Sequence, residues 1–179
     1  MNANVKRTAA AVVTAAALGT ALGSAPAASA GAVGDVRIVE FGFNAVGTDT
    51  AANRNSEFVR IKNTTAGTLA VEGWVLHDAY QNSAGDWGNR FTFQGSALPA
   101  GSPFKDADGR FQIPAGAEVY VYQGSGVDST PTSNTASVYR NGKHIWNNAG
   151  DTIYVRTSKD APSYVARVIY TGYRVKISQ

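Results

Sequence analysis

The chain predicts an all-β domain built as two facing sheets, and three observations point there. Beyond residue 30 the apolar residues recur with period two, the short runs are rich in β-branched and aromatic side chains, and Gly, Asn, Asp, Ser and Pro separate them. Sheets that pack face to face each need one apolar face, which alternation supplies. Of the 179 residues, 44% are apolar and 16% charged, a balance that supports a folded core and excludes a disordered chain. No internal repeat or shift in composition marks a second domain within residues 31–179.

The first 30 residues stand apart. Lys6 and Arg7 form a positive start, residues 9–18 an apolar stretch, and Ala28-Ser29-Ala30 a small-residue cleavage pattern. This order reads as a secretory signal peptide cut after Ala30, so residues 31–179 are expected outside the cell as one domain. The apolar stretch is too short and too rich in alanine to span a bilayer, and no membrane span is expected in the mature chain. Removing the signal leaves 14 basic and 13 acidic residues, a net charge of +1. So small a charge pulls little on polyanions at a distance, and the whole-chain pI of about 9.2 is no nucleic-acid signature. Without cysteine there are no disulfides and no thiolate chemistry.

Each strand has its own signal. In residues 35–44, Val36 and Ile38 share one phase before Val39, Phe41 and Phe43 take over the other, a switch that predicts a β-bulge. Residues 56–63 set Val59 and Ile61 against Arg60 and Lys62, a half-buried strand. Residues 68–78 read as one strand interrupted at Gly73, where a bulge or a close backbone approach is expected. Further runs fall at 91–93, 117–123, 152–157 and 164–170, and Tyr173, Val175 and Ile177 suggest a terminal edge strand. Segments 45–55, 79–89 and 124–136 are polar and glycine-rich and are expected to be loops.

Several pieces then resemble, in order, the lamin tail domain. Asp35-Val36-Arg37-Ile38-Val39-Glu40 is similar to its opening strand, and Glu57-Phe58-Val59-Arg60-Ile61-Lys62-Asn63 to its second-strand motif. Val71-Glu72-Gly73-Trp74-Val75-Leu76-His77-Asp78 resembles its Gly-Trp segment. Residues 113–119 resemble its Pro-Gly turn, and residues 146–153 its Asn-x-Gly-Asp turn. The resemblance spans residues 34–171 and implies an all-β, immunoglobulin-like β-sandwich of the lamin tail domain type. It implies structural roles for Asn63, Gly73, Trp74, Asp78, Asn148, Gly150 and Asp151. Asn63 would bond nearby backbone, Gly150 would take positive φ, and Asp151 would accept backbone N–H bonds. Trp74 and Trp146 belong to the core.

Catalytic chemistry has little to work with. The two histidines, His77 and His144, read as surface or strand-end residues, and no Gly-x-Ser-x-Gly elbow occurs. Glu40, Glu57, Glu72 and Glu118 lie in strand-like runs, where a solvated face is the ordinary reading. His77, Asp78 and His144 lack the spacing of a metal site, and Asp106-Ala107-Asp108-Gly109 reads as a hairpin turn sooner than a calcium loop. No catalytic residue, metal or cofactor is therefore expected. Trp87 and Tyr80, in a loop, are the candidate ligand contacts, as a platform for a protein or a cell-surface polymer, the competing reading being that Trp87 folds back as a lid on the open end of the sandwich. Nucleic acid is the alternative ligand, through Arg60 and Lys62 beside Phe58 or through Arg174 and Lys176. The expectation is a secreted, non-enzymatic binding or structural module, with a hydrolase as the reading from a different class.

Overall fold

The computed structural model describes residues 31–43, 48–81 and 88–171, with the backbone of 174–178. The signal segment 1–30 and Trp87 lie outside these residues. Two five-stranded sheets face one another. The first runs in the order β1-β2-β7-β9-β8, from β1 (Val36–Gly42), β2 (Phe58–Asn63), β7 (Glu118–Tyr122), β9 (Thr135–Tyr139) and β8 (Ser129–Thr132). The second runs β12-β11-β10-β4-β5, from β12 (Arg174–Ser178), β11 (Ala166–Thr171), β10 (Asp151–Arg156), β4 (Val75–His77) and β5 (Arg90–Thr92). Neighbours are antiparallel except β7 and β9, which run parallel. A two-stranded ribbon joins β3 (Leu69–Ala70) to β6 (Gln112–Ile113). No helix among the described residues is long and apolar enough to cross a membrane.

Alternation builds the core. Val59 and Ile61 of β2, with Val119 and Val121 of β7, turn inward to meet Leu76, Ile153 and Val155 of the other sheet, all buried. Trp74 and Trp146 are buried with them. The phase switch in β1 is a bulge: the register slips between Ile38 and Glu40, which leaves Val39 outside while Phe41 and Phe43 pack on Tyr170. The fold class is therefore the one the periodicity predicts.

Two segments depart from expectation. Residues 68–78 are not one strand, because β3 lies in the ribbon and β4 in the second sheet. The break is a tight turn in which Trp74 N–H bonds the Val71 carbonyl at 3.0 Å and Gly73 takes φ +78°. A Cβ on Gly73 would meet nothing within 4 Å, so the glycine serves backbone conformation and not close approach. Segment 124–136 is not a loop throughout, since it contains β8 and the start of β9. Small and polar residues there hide the strand pattern, and only Ala136 and Val138 turn inward.

Candidate functional site

His77 is fully buried, contrary to the surface position expected from its phase. β4 lies between β10 and β5, and all three of its residues are enclosed. Tyr154, directly opposite on β10, stacks on the imidazole at 5.2 Å. Asp78 beside it is buried too, and its carboxylate accepts from Tyr80 N–H at 2.9 Å and Asn89 Nδ2 at 2.8 Å. Burial raises its pKa, and those two bonds oppose the rise.

The solvated face expected for the glutamates holds for Glu40 but not for Glu57, which is 1% exposed. One Glu57 oxygen accepts from Ile145 N–H at 3.0 Å, and the other lies 3.2 Å from His144 Nδ1. Burial raises its pKa, with the Ile145 bond and His144 opposing. His144 Nε2 sits 3.1 Å from the Thr50 carbonyl, so this histidine ties the segment before β2 to the one before β10. Glu72 is exposed as a residue, yet its carboxylate receives Gly95 N–H at 2.8 Å and Phe111 N–H at 2.6 Å. Among the described residues no cluster of three or more His, Asp or Glu side chains is placed to hold a metal ion.

The turn residues behave as their types dictate. Asp106 accepts from Asp108 and Arg110 N–H groups, which makes 106–110 a capped hairpin turn. Gly150 takes φ +139°, and Asp151 accepts from Thr152 N–H at 2.7 Å. In that turn the side-chain bond to Ala149 N–H comes from Asn147, while Asn148 is exposed. Asn63 is fully buried and bonds the Gly67 and Ile113 carbonyls, each at 2.8 Å, and accepts from Thr65 N–H. Tyr80 is 57% exposed.

The outer face of the first sheet carries rings and paired charges. Phe58, Tyr122 and Tyr139 stand in one cross-strand row, with ring centroids 5.9 and 5.1 Å apart. Gly126 lies against the far side of Tyr139, where a Cβ would come within 2.3 Å of the ring. The ring faces are thus spent on one another and on backbone. Arg60 beside them is held by Glu40 at 2.9 Å and Glu118 at 3.2 Å, and Lys62 meets Glu118 at 3.5 Å. The cations expected to draw nucleic acid are therefore already matched. The side chains of Arg174 and Lys176 lie outside the described residues.

The open space lies at the side of the sandwich. A groove of about 470 Å³ is lined by β5, the edge strand of the second sheet, by the wall of residues 126–128, and by Tyr139, Arg140 and Asn141. That wall is pinned. Asp128 accepts from Tyr139 N–H at 2.9 Å, Asn141 accepts from Gly126 N–H at 3.3 Å, and Asn55 donates to the Ser125 carbonyl at 3.0 Å. Asn141 adopts φ +57°, a left-handed conformation that asparagine tolerates better than most residues. Arg140 crosses the groove and donates through Nε to the Arg90 carbonyl at 3.3 Å. Residues 126–128 are loop as expected, but no groove residue could be named from the sequence, because β5 and this wall come together only in the fold.

These residues thus define a β-sandwich of two five-stranded sheets with a groove beside the edge strand β5. The sequence matches the Lamin Tail Domain family over residues 29–172, and the chain belongs to that family. Its fold is the family's immunoglobulin-like β-sandwich. No curated protein matches the chain.

Proposed function

We propose that the domain is an exported, non-enzymatic binding or structural module whose ligand is a protein or a cell-surface polymer. The groove beside β5 carries this reading, because its volume falls in the range of ligand pockets and its wall is held in place before any ligand arrives. The histidines add support. A general base must reach the proton it abstracts, whereas His77 is enclosed by its own sheet and His144 is engaged by Glu57 and the Thr50 carbonyl. Export rests on the amino-terminal signal, and Tyr80 is a second, exposed candidate contact outside the groove lining. Nucleic acid remains the weaker ligand, since phosphate contacts need unmatched cations and Arg60 is already paired.

The test is a pull-down from culture and cell-wall fractions with the mature chain and two variants. Val127→Glu in the groove wall is expected to lose the ligand, and Tyr80→Ala to weaken its capture. Equal capture by parent and both variants contradicts the reading.

A further inference from the structure

Residues 48–57, ahead of β2, and residues 140–146, ahead of β10, meet at one end of the sandwich, where His144 fastens them together. Its Nε2 lies 3.1 Å from the Thr50 carbonyl. A carbonyl oxygen can only accept, so Nε2 carries a proton whatever the charge of the ring. A neutral imidazole protonated there has a bare lone pair on Nδ1. Yet Nδ1 lies 3.2 Å from Glu57 Oε1, with the Asp49 carboxylate at 3.9 Å. An ionised carboxylate also offers only lone pairs, so neutral His144 and ionised Glu57 would set two acceptors against each other.

Neither atom is relieved elsewhere. Glu57 Oε1 and His144 Nδ1 are both buried and hydrogen-bond no other group, while Glu57 Oε2 is taken by the N–H groups of Ile145 and Trp146 at 3.0 and 3.5 Å. One proton between Oε1 and Nδ1 satisfies both, as an imidazolium facing a carboxylate or as a carboxylic acid donating to a neutral ring. Among the described residues no other cation comes within ion-pair distance of Glu57. Arg140 at the end of β9 and the buried Tyr170 of β11 feel its charge from farther off, together with that of Asp78. Arg54 and the exposed Lys143 are the remaining cations of the two segments. Gln123, whose N–H bonds the Glu57 carbonyl, is uncharged, and its buried side-chain amide bonds neither atom.

The fastening reaches the groove. From the first segment, Asn55 donates to the Ser125 carbonyl at 3.0 Å. From the second, Asn141 N–H bonds the Gly124 carbonyl at 3.1 Å, and its side chain accepts from Gly126 N–H at 3.3 Å. The wall at residues 126–128 is thus held by the two segments that His144 joins.

Resting on the reading of this groove as the binding site, we infer that Glu57 and His144 form a proton-held latch on its wall. The closed latch holds one proton, and losing it at higher pH frees the wall and weakens ligand capture. Burial raises the Glu57 pKa, so the stability that this group lends is present at lower pH and lost as pH rises through the raised value.

The test follows ¹⁵N-labelled histidine in the exported chain by NMR from about pH 5 to about pH 9, with His144→Ala leaving only the His77 signals. Nε2 of His144 should stay protonated throughout, while Nδ1 is protonated or hydrogen-bonded at the low end and bare at the high end. Over the same range the amides of residues 125–128, corrected for intrinsic exchange, should lose protection about tenfold or more, as expected for one charge-assisted bond. Glu57→Gln is the decisive comparison. Its amide donates to a bare Nδ1 while its oxygen keeps the Ile145 and Trp146 N–H groups, so the latch closes without a shared proton and protection stays flat with pH. His144→Ala leaves the wall unprotected at every pH. A ring bare at Nε2, ring signals that do not titrate, or protection that ignores pH in the parent or follows it equally in Glu57→Gln overturns the inference. If a cell-wall ligand is captured equally at both ends of the range, the latch is wrong and the module reading stands. If the wall responds to pH and nothing is captured at any pH, the latch stands and the module reading falls.

Discussion

Arg156 Nε donates to His77 Nε2 at 3.0 Å, while Nδ1 of the same ring faces the Asp78 carbonyl at 2.5 Å. A guanidinium has no lone pair to give, so Nε2 must be the acceptor and Nδ1 must carry the proton. The pair therefore fixes His77 as a neutral imidazole. Protonation would cost the Arg156 bond and place two cations together.

Burial pulls the His77 pKa down from 6.5 to about 4, the Asp78 carbonyl opposes this, and the Arg156 charge adds to it. Between those two values the unfolded chain binds more protons than the folded one, so stability falls as pH drops through 6.5 and the loss is complete below about 4. The loss from this residue is roughly 3 kcal/mol. Unfolding free energies from urea titrations at pH 7 and pH 4 should fall by about 3 kcal/mol more in the parent than in His77→Asn. Equal falls would show that His77 titrates normally.

Glu57 should behave in the opposite sense. Its pKa is raised by burial, so across the window above 4.5 the folded state holds its proton more firmly than the unfolded chain. Stability contributed by Glu57 thus rises as pH falls through the raised value. Relative to Glu57→Gln, the parent should gain stability on acidification, seen as a narrowing or reversal of the difference in paired melts. A difference that widens at low pH contradicts the assignment.

Trp74→Ala should cost about 3–5 kcal/mol, because a buried indole leaves a cavity between the sheets. The ring also packs against Gly31, where a Cβ would lie 2.1 Å from it. An unchanged denaturation midpoint removes Trp74 from the core.

Asn63→Ala should cost roughly 2–4 kcal/mol, for it strands the buried Ile113 carbonyl and releases Thr65 and Gly67. Asn63→Asp is the sharper comparison. It keeps the acceptor for Thr65 but removes the donor to Ile113, so most of the loss should persist. A neutral outcome in both variants would show that the asparagine does not hold β2 to the turn before β7.

The strands that alternate strongly were legible: β2, β7 and β10 lie where Val and Ile recur at every second residue, and β11 where Ala166, Val168 and Tyr170 share the inward phase. β8 and β9 were not, because Ser, Thr and Pro131 blur the period and most of the evidence for β9 is its parallel pairing with β7, a long-range contact. His77 illustrates a second limit. Its phase relative to Leu76 was right, but alternation tells which face a residue takes and not whether other side chains cover that face. The groove was illegible for the same reason, since β5 and residues 126–128 meet only after the sheets have closed. Turn chemistry did better: Gly150, Asp151 and Asp106 act as their residue types demand, and Gly73 does so through its backbone conformation.

Hydrogen–deuterium exchange on the mature chain, with and without the ligand captured in the pull-down, tests most directly whether the open side of the sandwich is the binding surface. Amides of Arg90, Thr92 and residues 126–128 should slow in the complex while those of β2 and β11 stay unchanged. Protection confined to the outer face of the first sheet, with the β5 groove exchanging as before, would contradict the account.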